Sequence, residues 1–241
     1  DHIIHLAGAN IGEKRWTKRR KQELEESRVK TGEFIFEKIK AAGRKPEAFI
    51  SASGTGYYGA TTSQRIYSED DKSADDFIGE LCRRWENSAD RFEGSGIRTV
   101  KIRTGIVLAE KGGALGRISA PARIGFASGL GTGNQYLPWI HLEDLCNIYV
   151  KAVEDHAMTG AYNAVAPEQC TNNEFVKAVA RALKKPFLAP KVPSFMIRIL
   201  FGEMAEIVLE GSRVSSDKIR KAGYIFRFPE LQSALADLLK A

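Results

Sequence analysis

The sequence predicts an α/β protein built on a doubly wound parallel sheet, and two observations predict it. Short apolar runs bounded by turn residues recur along the chain, and stretches of helical periodicity lie between them. Strands that alternate with helices imply parallel pairing through right-handed crossovers. The 241 residues are 43% hydrophobic and 27% charged, enough for a sizeable core.

The predicted strands are Ile3 to Ala7, Ala48 to Ser51, Thr99 to Arg103 and Tyr162 to Val165. The first helix spans Lys18 to Ala42, with apolar residues at Leu24, Val29, Phe34, Ile35 and Ile39; Gly43 and Pro46 end it. The second runs from Asp75 to Phe92, capped by Asp75 or Asp76, and its apolar stripe is Phe77, Leu81, Trp85 and Ala89. A third covers Leu142 to Val153, and a fourth follows the capping box "TNNE", Thr171 to Glu174.

Residues 109–137 are glycine-rich and residues 186–229 are interrupted by prolines. Residues 1–108 and 138–166 are therefore assigned to the sheet domain, and 109–137 and 167–241 to a smaller region over the C-terminal strand ends, where such sheets take ligands. The chain enters a strand at once, without Met, so further residues are expected before Asp1.

Three scattered cysteines form no CxxC or paired framework, which suits a reducing, cytoplasmic setting. No apolar run is long enough to span a bilayer. The formal charge of +6 comes largely from "KRWTKRRK", Lys14 to Lys21. One basic stretch with a single tryptophan is no nucleic-acid groove; a solvated helix start and contact with a ligand phosphate both remain open. No metal site is expected, because the histidines of "HIIH" fall on opposite faces of a strand.

The order of segments carries a resemblance. "IIHLAG", "ESRVKTG", "AFISASGTGYYG", "VKIRTGIVL", "LPWIHLEDL" and "KAGYIFRFPELQSALADLL" together resemble the atypical and extended short-chain dehydrogenases, most closely the epimerase family proteins related to NAD-dependent epimerase/dehydratases. The resemblance covers essentially the whole chain. It implies a Rossmann-like cofactor domain with a small C-terminal substrate domain, and a glycine-rich turn with the first three strands before Asp1. It also implies NADP, with NAD not excluded, since the residue that separates them would lie upstream. Relatives often dimerise through the helices at Lys18 to Ala42 and Asp75 to Phe92.

Carried onto this chain, the resemblance makes Leu6, Ala7, Gly8 and Asn10 cofactor contacts, with Gly8 also explicable as a tight turn. Ser51 and Ala52 are likewise cofactor contacts by the resemblance, and they lead to Ser53, which matches the serine that hydrogen-bonds the reacting oxygen; alone, it reads equally as a turn cap. Tyr58 matches the aromatic of "VYG" and is a catalytic candidate, with Tyr57 lining the substrate side. Arg103, Thr104, Gly105 and Ile106 match the segment that meets the nicotinamide. Arg123 and His141 are assigned to substrate, although a histidine before "LEDL" also suits helix capping.

One departure is sharp. Hydride-transferring members carry Tyr-x-x-x-Lys, whose ammonium lowers the phenol pKa, and here Phe77 and Leu81 occupy those positions. No tyrosine in the chain has a lysine four residues later. Two readings follow: an oxidoreductase or epimerase-like enzyme acting on a small or nucleotide-linked hydroxyl compound without that pair, or a dinucleotide-binding sensor without turnover. Phe77 and Leu81 are expected to face the nicotinamide end of the cleft.

Overall fold

The structure is a computed structural model that describes residues 1–187 and 190–239. Residues 188, 189, 240 and 241, all within the range assigned to the second region, lie outside the described residues.

Four strands form the main sheet: β1 His2–His5, β2 Ala48–Gly54, β4 Arg98–Thr104 and β7 Gly160–Ala164, in the order β1-β2-β4-β7. Every pairing is parallel. Two further parallel pairs escape a reading of apolar runs because they are short: β3 Ile66–Tyr67 with β8 Arg213–Val214, and β5 Ile106–Leu108 with β6 Trp139–His141.

The pleat sorts side chains between two layers. Phe49 points toward α2 Val29–Ala42 and α3 Phe77–Glu93, joining Ala89, Phe92 and Ile97; its ring stacks on Phe92 at 3.6 Å. Ala48 and Ile50 point the other way, into a cluster with Ile148 and Ala152 of α5 Leu142–Glu154 and Ile219 of α9 Asp217–Lys221. Each face of the sheet thus has its own apolar layer.

The single helix expected from Lys18 to Ala42 is two: α1 Lys18–Glu26 and α2. The break falls where side chains compete with the helix for backbone groups. The Ser27 hydroxyl accepts from Ala9 N–H, and the Arg28 guanidinium donates to the Leu24 and Ala9 carbonyls. The chain is thereby pinned to the loop after β1.

Other boundaries follow the expected chemistry. Asp76 caps α3 by accepting from Gly79 N–H at 2.8 Å, Gly43 ends α2 at φ 62°, and Thr171 and Glu174 form a full capping box before α6 Asn172–Ala182. The glycine-rich segment contains a helix that was not expected, α4 Gly113–Arg123, with Pro121 in its last turns. It packs with α6 and α10 Leu231–Leu238 around Leu115, Trp139, Phe175 and Leu235. The region is completed by α7 Ser194–Phe201 and α8 Glu206–Leu209.

The basic stretch is partly drawn into the fold. Trp16 is buried against Phe77 at 5.0 Å, Arg20 is buried and pairs with Glu13 and Glu23, Lys21 pairs with Glu203, and Arg15 donates to the carbonyls of Ile199 and Leu200. Arg15 and Lys21 thus tie this stretch to the C-terminal region, while Lys14, Lys18 and Arg19 are exposed.

His5 is 2% exposed and its Nε2 lies 3.2 Å from the Arg28 carbonyl. Burial lowers its pKa below the ordinary 6.5, against the opposing pull of that hydrogen bond. The unfolded chain then takes a proton that the folded chain resists, so stability is held above pH 6.5 and lost as the pH falls from there toward the folded value. Thermal melts between pH 8 and pH 5.5 are expected to show a falling Tm that flattens in His5→Gln; equal slopes in both proteins would contradict the assignment.

Candidate functional site

At the C-terminal ends of β2 and β4 the sheet opens into a cavity of about 500 Å³. Ser53, Gly54, Thr104, Gly105 and Ile106 form its floor, Leu81, Cys82 and Trp85 of α3 form one wall, and Tyr136, Ile207 and Glu210 face them. Three of these groups come from the strand ends because the chain changes partner there. Gly105 N–H donates to Ala164 in β7, and Ile106 N–H donates to Pro138, so β4 leaves the main sheet and becomes β5. An added Cβ at Gly105 would lie 2.3 Å from the Pro138 carbonyl oxygen. The close approach that Gly105 permits is therefore to the protein's own backbone.

Beneath the cavity lies a buried polar row. Register pairs Ser53 with Arg103 and Arg103 with Asn163, so the three side chains project from neighbouring strands on the same face as Phe49. Over this row α3 brings Glu86, 5% exposed. Its Oε1 accepts from Ser53 Oγ at 2.7 Å and from Arg103 Nε at 2.8 Å, and its Oε2 accepts from Arg103 Nη2 at 2.9 Å. Arg103 Nη1 donates to the Tyr58 hydroxyl at 2.9 Å, which in turn donates to Asn163 Oδ1 at 2.8 Å. The Arg103 guanidinium also lies 3.5 Å from the Tyr57 ring centroid.

This geometry fixes what each group does. A carboxylate only accepts, so the Ser53 proton points at Glu86 and the lone pairs of Oγ are left for a ligand donor. Burial alone would lower the Arg103 pKa, but Glu86 and Tyr58 hold it above its ordinary value. Desolvation raises the Tyr58 phenol well above its usual range, only partly countered by Arg103. Burial, reinforced by the charge of Glu86, pushes the Cys82 thiol up to about 12. Cys82 is a packing residue at neutral pH.

The sequence-derived candidates divide. Ser53, Thr104, Gly105 and Ile106 meet at the cavity, as does Leu81. Arg103 and Tyr58 lie below it, buried and engaged with each other, and Tyr57 covers the guanidinium; none of the three lines the cavity. Ser51 is buried with its hydroxyl on the Ala52 carbonyl, away from the cavity. Leu6, Ala7, Gly8 and Asn10 are exposed beyond the end of β1.

Phe77, expected to face the cleft, instead packs edge-on against Trp16 under the Lys21 ammonium. Arg123 is exposed at the end of α4 and does not reach the cavity. His141 is 4% exposed, stacked on Phe228 at 3.9 Å, with Nδ1 accepting from Glu143 N–H at the start of α5. The residues of the site that the sequence reading does not single out include Arg28, Glu86, Tyr136 and Asn163. Glu86 alone left a signal, since it stands four residues after Cys82 on the inward side of an amphipathic helix, a place where a carboxylate needs a partner.

Parallel strands flanked by helices, with a cavity at their C-terminal ends, define a Rossmann-like protein of the NAD(P)-binding, short-chain-dehydrogenase type of fold. The chain is 37% identical over 243 residues to epimerase family protein SDR39U1 of Mus musculus, covering 99% of this chain and 82% of that one. It is 35% identical over 241 residues to an epimerase family protein of Staphylococcus aureus (strain NCTC 8325), covering 100% and 79% of the two chains. The crystal structure of human epimerase family protein SDR39U1 (isoform 2) with NADPH superposes with a TM-score of 0.93 at 35% identity, over 99% of this chain and 81% of that one. A family model described as a domain of unknown function, DUF1731, matches residues 192–238. The chain belongs to the epimerase family proteins.

Removing one partner of a buried ion pair strands the other charge, at a cost of roughly 3–5 kcal/mol, whereas replacing both with apolar groups is often close to neutral. Glu86→Leu is therefore expected to lower unfolding free energy by about that amount in denaturant melts, and Glu86→Leu/Arg103→Met to recover part of it. A double variant as unstable as the summed single variants would contradict the pairing.

Proposed function

We propose that this protein binds NADP(H), with Thr104, Gly105, Ile106 and Ser53 holding the nicotinamide end and Leu6, Ala7, Gly8 and Asn10 contacting the remainder. A small hydroxyl compound, free or nucleotide-linked, shares the cavity. The observation that carries this reading is the gathering of Ser53 and Thr104–Ile106 in one cavity at the strand ends. The Ser53 hydroxyl and the bare backbone at Gly54 suit a flat amide-bearing ring, and the human relative crystallised with NADPH adds support. Residues 109–137 and 167–241 make up the substrate side, through Tyr136, Ile207 and Glu210.

When bound, NADP(H) supplies a hydride donor or acceptor, which makes oxidoreductase or epimerase-like chemistry the reading favoured here. Ser53 accepts a hydrogen bond from a ligand hydroxyl and orients it. Phe77 and Leu81 move no proton, and Tyr58 is committed to Asn163 and Arg103. Proton transfer therefore falls to water or to a group of the substrate. The same loss of a tyrosine–lysine pair favours a second reading, a cofactor-binding sensor without turnover.

Fluorescence titration of the full-length protein with NADPH and NADH tests binding; failure to bind either would contradict both readings. Reduction of bound NADP+ by hydroxyl compounds and nucleotide sugars tests turnover. Ser53→Ala is expected to slow it about tenfold to a hundredfold, the worth of one buried hydrogen bond to a charged or reacting group. Binding with no turnover for the whole panel would leave the sensor.

A further inference from the structure

Arg28 is 8% exposed and its side chain lines the cavity beside Leu81 and Trp85. Its Nη2 donates to the Ala9 carbonyl at 2.9 Å, and its Nη1 to the Leu24 carbonyl at 2.9 Å and the Ser27 hydroxyl at 3.4 Å. Every one of these acceptors is neutral. The guanidinium lies 5.0 Å from the Trp85 ring centroid.

Among the described residues no carboxylate comes within 4.0 Å of Arg28, whereas the other buried guanidiniums, Arg20 and Arg103, each hold a glutamate. Burial lowers the pKa of Arg28, the direction expected where nothing compensates the charge, and the nearby Arg20 adds to it. Glu210, the acid on the cavity wall, is engaged with Thr62.

The chain also makes room for this group. An added Cβ at Gly8 would lie 3.0 Å from Arg28 Cζ, so the strand exit passes close over the guanidinium and a larger residue there would press on it. A cation held by neutral acceptors, stacked on an aromatic ring and walled by leucine and isoleucine, lacks only its counter-charge. Burial of the guanidinium itself limits how far solvent can screen one.

We propose that Arg28 is an oxyanion-binding site: it pairs with a phosphate or carboxylate oxygen of a ligand in the cavity. The anion has two possible sources, a phosphate of the dinucleotide itself or an acidic group on a second ligand. Planar guanidinium suits either, through paired N–H donors.

Isothermal titration of the full-length protein with inorganic phosphate and with malonate, at constant ionic strength, tests the site. The wild type is expected to bind at least one probe, with affinity reduced tenfold or more in Arg28→Gln and partly restored in Arg28→Lys. Gly8→Ala, which crowds the guanidinium without removing its charge, is expected to weaken the same binding.

Repeating the titration with saturating NADPH separates the sources. If the anion is the dinucleotide's, NADPH abolishes probe binding and Arg28→Gln weakens NADPH about tenfold. If it belongs to a second ligand, the loaded protein still binds the probe and NADPH affinity stays within twofold in Arg28→Gln. Absence of any probe binding to the wild type, together with unchanged NADPH affinity in Arg28→Gln, overturns the proposal. So does probe binding that survives Arg28→Gln undiminished. A protein that binds phosphate through Arg28 but no NADPH would remove the cofactor reading and leave the anion site standing.

Discussion

The buried pair of Glu86 and Arg103 is the interaction on which the candidate site depends. Two ions removed from water must satisfy one another almost completely, and here each does so with several partners. Glu86 accepts a hydrogen bond from Ser53, and Arg103 donates to the hydroxyl of Tyr58, which itself donates to Asn163. Residues from three strands, one α-helix and the 3-10 turn Thr55–Tyr58 thus share a single hydrogen-bonded arrangement. A rotation of any one would leave a charged or polar group buried without a partner.

This arrangement decides which residues can meet a ligand. Tyr58 and Arg103 are the supports, and Ser53 is the group that reaches from them to the cavity floor. The cation of the cavity comes from Arg28, at the break between α1 and α2, and not from α3, where Leu81 stands. The segment "WIHLEDL" serves the fold in a similar way. His141 caps α5, while the buried Asp144 accepts from the Tyr224 hydroxyl at 2.7 Å and from the N–H groups of Arg227 and Phe228 at 2.8 and 2.9 Å. That carboxylate holds the turn before α10 against the sheet domain.

The legible part of the sequence was the part governed by local rules. Apolar runs located the four strands of the main sheet, and caps located the starts of α3 and α6. The break at Ser27 escaped notice because its cause is a contact with Ala9, eighteen residues away. Helix α4 was hidden by glycines and a proline that lower helix propensity, and packing on Trp139 and Phe175 outweighs them. At the site, motif order brought out Ser53 and Thr104–Ile106. It also suggested Tyr58, Phe77, Arg123 and His141, none of which lines the cavity. Motif position sets where a residue sits along the chain, and only pleat, register and neighbouring charge set which way its side chain turns.

The central claim is that Ser53 meets its ligand as a hydrogen-bond acceptor, because Glu86, anchored by Arg103, holds its proton. Neutron diffraction from a deuterium-exchanged crystal of the full-length protein reads that proton directly. The account predicts a deuteron on Ser53 Oγ directed at Glu86 Oε1, with both Glu86 oxygens facing Arg103 deuterons. A Ser53 deuteron directed into the cavity, with Glu86 turned away from it, would contradict the account.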